Sequence, residues 1–221
     1  MELERIGLRL FSLPFDWLIS GNFQKVLELI ENKFQDFLNP NFLFQEKNVN
    51  LNYYYNDKCE IHFYHDFVSD KSFEQQLIAI QEKYEKRIER FFEKIIQPTI
   101  FVRYCQGKDE IDFIRENYQY ISSFFKSYNT KNEILFIIDE EIDLENNINF
   151  FYVPKGKNGD VNRKFLKDNV DLKLFLIEKA CVKNSIRRKN LLRYTRKKIK
   201  KLLKKILNKI RKRKKIDGNK T

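Results

Sequence analysis

Apolar positions along the 221-residue chain follow two rhythms, one suited to helices and one to strands. Phe23, Val26, Ile30, Phe34 and Phe37 recur at helical spacing between Gly21-Asn22 and Pro40, which predicts a helix over 22–38. Phe73, Leu77, Ile80, Tyr84, Ile88, Phe91 and Ile95 draw a longer stripe. Ser72 and Gln75 open it as a capping box and Pro98 closes it, so the spacing predicts a helix over 73–96. A third stripe, Ile111, Ile114, Tyr118, Ile121 and Phe125, predicts a helix over 109–126.

Between the helices lie short runs rich in aromatic and β-branched residues. LNYYY (51–55) and EIHFY (60–64), separated by Asn56-Asp57-Lys58, predict two strands and a turn. TIFVRY (99–104) and EILFII (133–138) flank the third helical stripe, the pattern of a right-handed βαβ unit with both strands buried. INFFYV (148–153) reads as one more strand, 155–160 as a glycine-bearing loop and 171–180 as a short helix. The alternation predicts an α/β class: a small mixed or parallel sheet flanked by helices.

From about 184 the pattern changes. Leu191, Leu192, Ile199, Leu202, Leu203, Ile206, Leu207 and Ile210 share one helical face, and lysine and arginine fill the rest. The segment 183–215 holds 18 Lys and Arg and no Asp or Glu. The first 182 residues hold 24 basic against 30 acidic residues, so the formal charge of +12 belongs to the end of the chain. The division expected is an acidic α/β body, 1–182, and a long C-terminal basic amphipathic helix within 183–221.

That helix asks for a neighbour, because like charges one turn apart repel. An anionic lipid surface meets both needs: it receives the apolar stripe, and each cation near it contributes about 1 kcal/mol. The cations placed to do this are Arg187, Arg188, Arg193, Arg196, Lys197, Lys200, Lys201, Lys204, Lys205 and Arg211. Nucleic acid is the second partner, disfavoured by the organised apolar face and by Tyr194 as the sole aromatic available for stacking. A clamp on the acidic body and a solvated basic end are the remaining readings.

Hydrophobic residues make up 42% of the chain and aromatics 15%, sufficient for a buried core. The excess of Phe (21) and Tyr (11) over alanine, present only as Ala79 and Ala180, is as readily a matter of codon composition as of function. Cys59, Cys105 and Cys181 lack ligand spacing and read as small buried hydrophobes of a reducing compartment. Glu2, Glu4, Pro14 and Asp16 do not suit a signal peptide, and no run of about 18 apolar residues is present. The location expected is cytoplasmic, peripheral at the inner face of the membrane. No glycine loop for phosphate, no metal-ligating motif and no nucleophile elbow is present, so no cofactor is implied.

The candidate chemistry lies in two short strings. His62 and His65, the only histidines, face opposite sides if both ride one strand, so one at most enters a site. His65-Asp66 falls where strand meets loop, a common place for an acid–base residue, though a histidine satisfied by its neighbours is the competing reading. Leu13-Pro14-Phe15-Asp16-Trp17 suggests a fixed, partly buried carboxylate, or else a plain helix start with tryptophan as core filler.

The run Gly7-Leu8-Arg9-Leu10-Phe11-Ser12-Leu13-Pro14-Phe15-Asp16-Trp17-Leu18, a helix ending near Asp36-Phe37-Leu38, and His65-Asp66-Phe67 together resemble the bacterial papain-like cysteine peptidases catalogued as a domain of unknown function. Arg87-Ile88-Glu89-Arg90-Phe91 and Phe101-Val102-Arg103 are also similar, and the resemblance spans roughly 5–140. It implies a thiol paired with histidine for acyl transfer or amide hydrolysis. His65 would be the general base, and Asp66 or Asp16 would orient it or shape the pocket. It also implies a cysteine upstream of Gly7, where none of the three cysteines falls. The expectation is either a start further upstream or an inactive relative, and the alternative is a non-enzymatic peripheral membrane or nucleic-acid-binding module.

Overall fold

A stripe of large apolar side chains at helical spacing folds only if something covers it, and here three stripes and two sheets cover one another. The computed structural model describes residues 3, 11–48, 51–68, 71–105, 107–142, 148–156 and 164–179. Cys181, the first ten residues apart from Leu3, and the whole basic segment 183–221 with its ten named cations lie outside the described residues. The chain divides into two compact units, Phe11–Leu172 and a second formed by Met1–Leu10 with Lys173–Thr221.

Within Phe11–Leu172, a 3-10 turn at Pro14–Trp17 leads into β1 (Ile19–Ser20) and helix α1 (Phe23–Glu31). There follow β2 (Leu43–Asn48), β3 (Leu51–Asn56), β4 (Ile61–Phe63), α2 (Phe73–Ile95), β5 (Ile100–Tyr104), α3 (Lys108–Tyr128), β6 (Glu133–Ile138), β7 (Phe150–Tyr152) and a short α4 (Phe165–Asp168). A last helix, α5 (Val170–Lys179), fulfils the expectation for 171–180 and continues into the second unit.

The class is α/β, but two sheets stand where one was expected. The first is antiparallel, in the order β1-β4-β3-β2; the second is parallel, in the order β5-β6-β7. Strand β5, helix α3 and strand β6 make the expected parallel pair, with Val102 opposite Leu135. Burial is uneven: β6 is central and buried from Ile134 onward, whereas β5, at the sheet edge, is half-buried along its length. Leu27 of α1, Tyr84 of α2, Ile121 of α3, Phe63 of β4 and Phe136 of β6 belong to one core.

Helix α1 ends at Glu31, earlier than the apolar spacing predicts. Lys33 takes the left-handed conformation (φ 51°) and its N–H donates to the Ile30 carbonyl at 3.1 Å. The Phe34 N–H donates to the Leu29 carbonyl at 2.8 Å. These two bonds are a Schellman stop, and they turn Phe34 and Phe37 into the core from irregular backbone. Helix α2 starts as expected, with Ser72 Oγ accepting from the Gln75 N–H.

Two buried asparagines tie the connections down. Asn56 Nδ2 donates to the carbonyls of Asp36 (2.8 Å) and Phe37 (3.2 Å), and its Oδ1 accepts from the Cys59 N–H. Asn132 Nδ2 donates to the carbonyls of Ile95 (2.7 Å) and Phe125 (2.9 Å), and its Oδ1 accepts from the Thr99 N–H. Asn132 satisfies carbonyls in the closing turns of α2 and α3, and Asn56 those of the turns that follow α1, at places water does not reach.

Candidate functional site

Strand β4 stops at Phe63, so His65 lies on the turn beyond it and strand alternation does not set its direction. Its neighbours do. The Asp66 carboxylate, 4% exposed, points at α2, where it pairs with the Lys83 ammonium and accepts from the Tyr84 hydroxyl at 2.8 Å. Phe67 is buried, its ring 4.2 Å from that of Tyr54 and 5.7 Å from that of Phe73. Gln76 holds the next residue, accepting from the Val68 N–H and donating to the Val68 carbonyl. With Asp66 and Phe67 both drawn inward, His65 is presented to solvent. Among the described residues no hydrogen bond or ion pair involves its ring.

The expectation that Asp66 or Asp16 orients His65 changes on this geometry. The partners of Asp66, Lys83 and Tyr84, both lie on α2, so it fixes the turn rather than the imidazole. Asp16 is exposed, not partly buried, because its Oδ2 turns back to accept from the Leu13 N–H at 2.8 Å and caps its own 3-10 turn. Pro14 is the buried residue there, and Phe15 packs against the core, 5.3 Å from Phe34 and 6.0 Å from Phe91 of α2. Helix α2 therefore receives both strings, the His65 turn at Lys83 and Tyr84 and the Asp16 turn at Phe91, two helical turns further on.

Arg87 sits on the same helix between those anchors. Its guanidinium lies 4.8 Å from the centre of the Tyr84 ring, and its Nη1 is enclosed without a hydrogen-bond partner. An unfilled donor of this kind costs about 1–3 kcal/mol. In the sequence Arg87 stands out only as part of the string Arg87-Ile88-Glu89-Arg90-Phe91, and its position one turn from Tyr84 is the one local signal of its place. Tyr84 itself is fully buried, and burial, then the Asp66 charge, pushes its hydroxyl pKa far up, so it remains a donor.

His62 sits elsewhere. It lies on the face of the antiparallel sheet away from the core, opposite Ile19 and Tyr55, with Tyr53 and Tyr64 around it. Its Nδ1 is enclosed and unpaired, and desolvation lowers its pKa.

The described cysteines behave as core residues. Cys59 is 6% exposed and its thiol is pushed up to about 11, first by burial and then by Asp36. Cys105 is 1% exposed and raised further by burial and by Glu110. Neither offers a thiolate near neutrality. At the carboxyl end of β5, Arg103 Nε donates to Glu110 at 2.7 Å, and its two other nitrogens reach the hydroxyl and carbonyl of Ser20. Among the described residues no group of three or more His, Cys, Asp or Glu could hold a metal ion, and no helix is long and apolar enough to cross a membrane.

Comparison with known proteins covers the same stretch. The profile of the family described as "Putative papain-like cysteine peptidase (DUF1796)" matches residues 1–140. Uncharacterized protein R408 of Acanthamoeba polyphaga mimivirus is 29% identical over 110 residues, which cover 41% of this chain and 49% of that protein. The chain thus spans about half the length of the curated relative it matches, and that relative is viral where the resemblance named bacterial proteins. No solved structure matches.

Proposed function

From the premise that the chain belongs to the family described as putative papain-like cysteine peptidases, we propose that His65 is the general base of a thiol-dependent acyl-transfer site, with amide hydrolysis as its reaction. The carrying observation is the anchoring of Asp66 and Phe67, which leaves His65 alone facing outward on a fixed turn. In the reaction the imidazole takes the thiol proton and the thiolate attacks the amide carbonyl. The amine departs with the proton from the imidazolium, and water then cleaves the thioester. Asp66 serves as a positioning residue through the backbone of the turn.

The thiol of this proposal is neither Cys59 nor Cys105, whose raised pKa values and burial keep them neutral. The resemblance assigns it to a position upstream of Gly7. Reading the genomic codons ahead of Met1 is the first test, and an in-frame cysteine is expected. In the complete gene product, His65→Ala should slow iodoacetamide alkylation of that thiol about 100-fold near neutral pH, the scale of a lost general base. Absence of an in-frame cysteine, or alkylation indifferent to the substitution, removes the hydrolytic reading.

A second reading concerns location. The 18 cations and no acids of 183–215 support attachment to the anionic inner face of the membrane. Full-length protein should sediment with phosphatidylserine vesicles at low salt, and the chain lacking 183–221 should not. Equal sedimentation of both ends this reading; tail-dependent RNA or DNA binding stronger than vesicle binding transfers it to nucleic acid.

A further inference from the structure

Around the ring of Tyr84 the charges do not balance. Among the described residues Asp66 is the one carboxylate bonded in the cluster, its Oδ1 accepting from Lys83 and its Oδ2 from the Tyr84 hydroxyl. Lys83 and Arg87 are both cations and both lie against the Tyr84 ring, at 5.1 and 4.8 Å. Among the described residues no ion pair involves Arg87, and Nη1 has no acceptor. Counted over the described residues, the cluster holds a surplus positive charge and an unfilled donor next to the turn that presents His65.

A guanidinium is a planar fork suited to two-oxygen anions, and a half-buried one binds them more strongly than an exposed one. Arg87 is half-buried, its ring-side face held by Tyr84. Asp66 does not fill the open donor, since Lys83 and Tyr84 engage its two oxygens. We propose that Arg87 is the receptor for an anionic group, a carboxylate or a phosphate, on the ligand that meets His65. That this ligand is a substrate rests on the peptidase reading; that the anion binds does not.

The test uses the full chain and the ring signals of its two histidines in NMR spectra. Inorganic phosphate and N-acetylglycine, a mimic of a peptide carboxyl end, are titrated separately at constant ionic strength. Each should shift the His65 signal saturably and leave His62, on the outer sheet face, in place. Arg87→Gln should weaken the saturable shift at least tenfold with the fold retained, read from an unchanged far-ultraviolet circular dichroism spectrum, and Arg87→Lys should fall between, having charge without the fork. Tighter phosphate binding identifies a phosphorylated ligand, and tighter N-acetylglycine binding a peptide terminus. Wild-type affinity in Arg87→Gln, or no saturable shift with either anion, overturns the proposal. If Arg87→Gln does not fold, Arg87→Lys decides alone, unchanged affinity overturning it. Anion binding in a gene product without peptidase activity leaves the Arg87 site standing and removes only the peptidase reading.

Discussion

Among single residues, His62 has the clearest consequence for solution behaviour. Its surroundings are Tyr53, Tyr55 and Tyr64, with Ile19 opposite and Glu46 near enough to raise its pKa. Desolvation outweighs that carboxylate, so the folded pKa lies below the ordinary 6.5. The native state therefore binds fewer protons than the unfolded chain over that window. The stability this contributes is whole above about pH 6.5 and is lost as pH falls through the folded value. Urea unfolding at about pH 7.5 and about pH 5.5 should show His62→Phe losing less stability than the parent on acidification. Parallel losses in the two proteins would contradict the desolvated histidine.

At the scale of elements, the stop of α1 is the junction where local preference and tertiary demand disagree. Lys33 and Phe34 both hold positive φ (51° and 61°), a conformation that strains residues bearing a Cβ. The strain is tolerated because Phe34, 5% exposed, fills the space between Phe15, Phe37 and Phe91. Lys33 is exposed, and glycine at that position relieves strain without touching the core. Lys33→Gly should raise unfolding free energy by about 0.5–1 kcal/mol, read as a higher denaturant midpoint at constant slope. A lowered midpoint would mean that the lysine side chain makes a contribution of its own.

Across Phe11–Leu172, hydrogen bonds from one arginine join the parallel sheet to the antiparallel one. Arg103 of β5 holds Glu110 of α3 and, 83 residues back in the chain, both oxygens of Ser20 in β1. Glu110 is 2% exposed at its side chain, so removing the arginine alone takes its cation from a carboxylate held in the interior. Arg103→Met should cost about 3–5 kcal/mol, and the double substitution with Glu110→Gln distinctly less than the sum of the singles. Additive losses in that double-mutant cycle would show the two side chains to be energetically independent.

The site was legible in part. His65-Asp66-Phe67 drew notice as a string, and Asp16 as a carboxylate among aromatics. What the string did not disclose is that Asp66 turns away from His65, since its partners Lys83 and Tyr84 stand 17 and 18 positions later. Arg87 gave no local sign of an unfilled donor, because the lack of a partner is a property of the surroundings.

Local order in this chain is written in its periodicity and caps. The stripes of α2 and α3, Ser72 at the start of α2, the pairing of β3 with β4 and the strand–helix–strand run over 100–138 follow from short-range sterics and from where apolar side chains fall. The separation of an acidic body from 18 cations at the end is likewise a property of the sequence alone. Only the tertiary structure decided that two sheets form instead of one, that a two-residue β1 closes an edge, and that α1 stops at Glu31. The reason is range. A helical stripe is set by residues three and four apart, whereas a short edge strand, a left-handed stop without glycine and a buried charge pair depend on partners brought together by the whole fold.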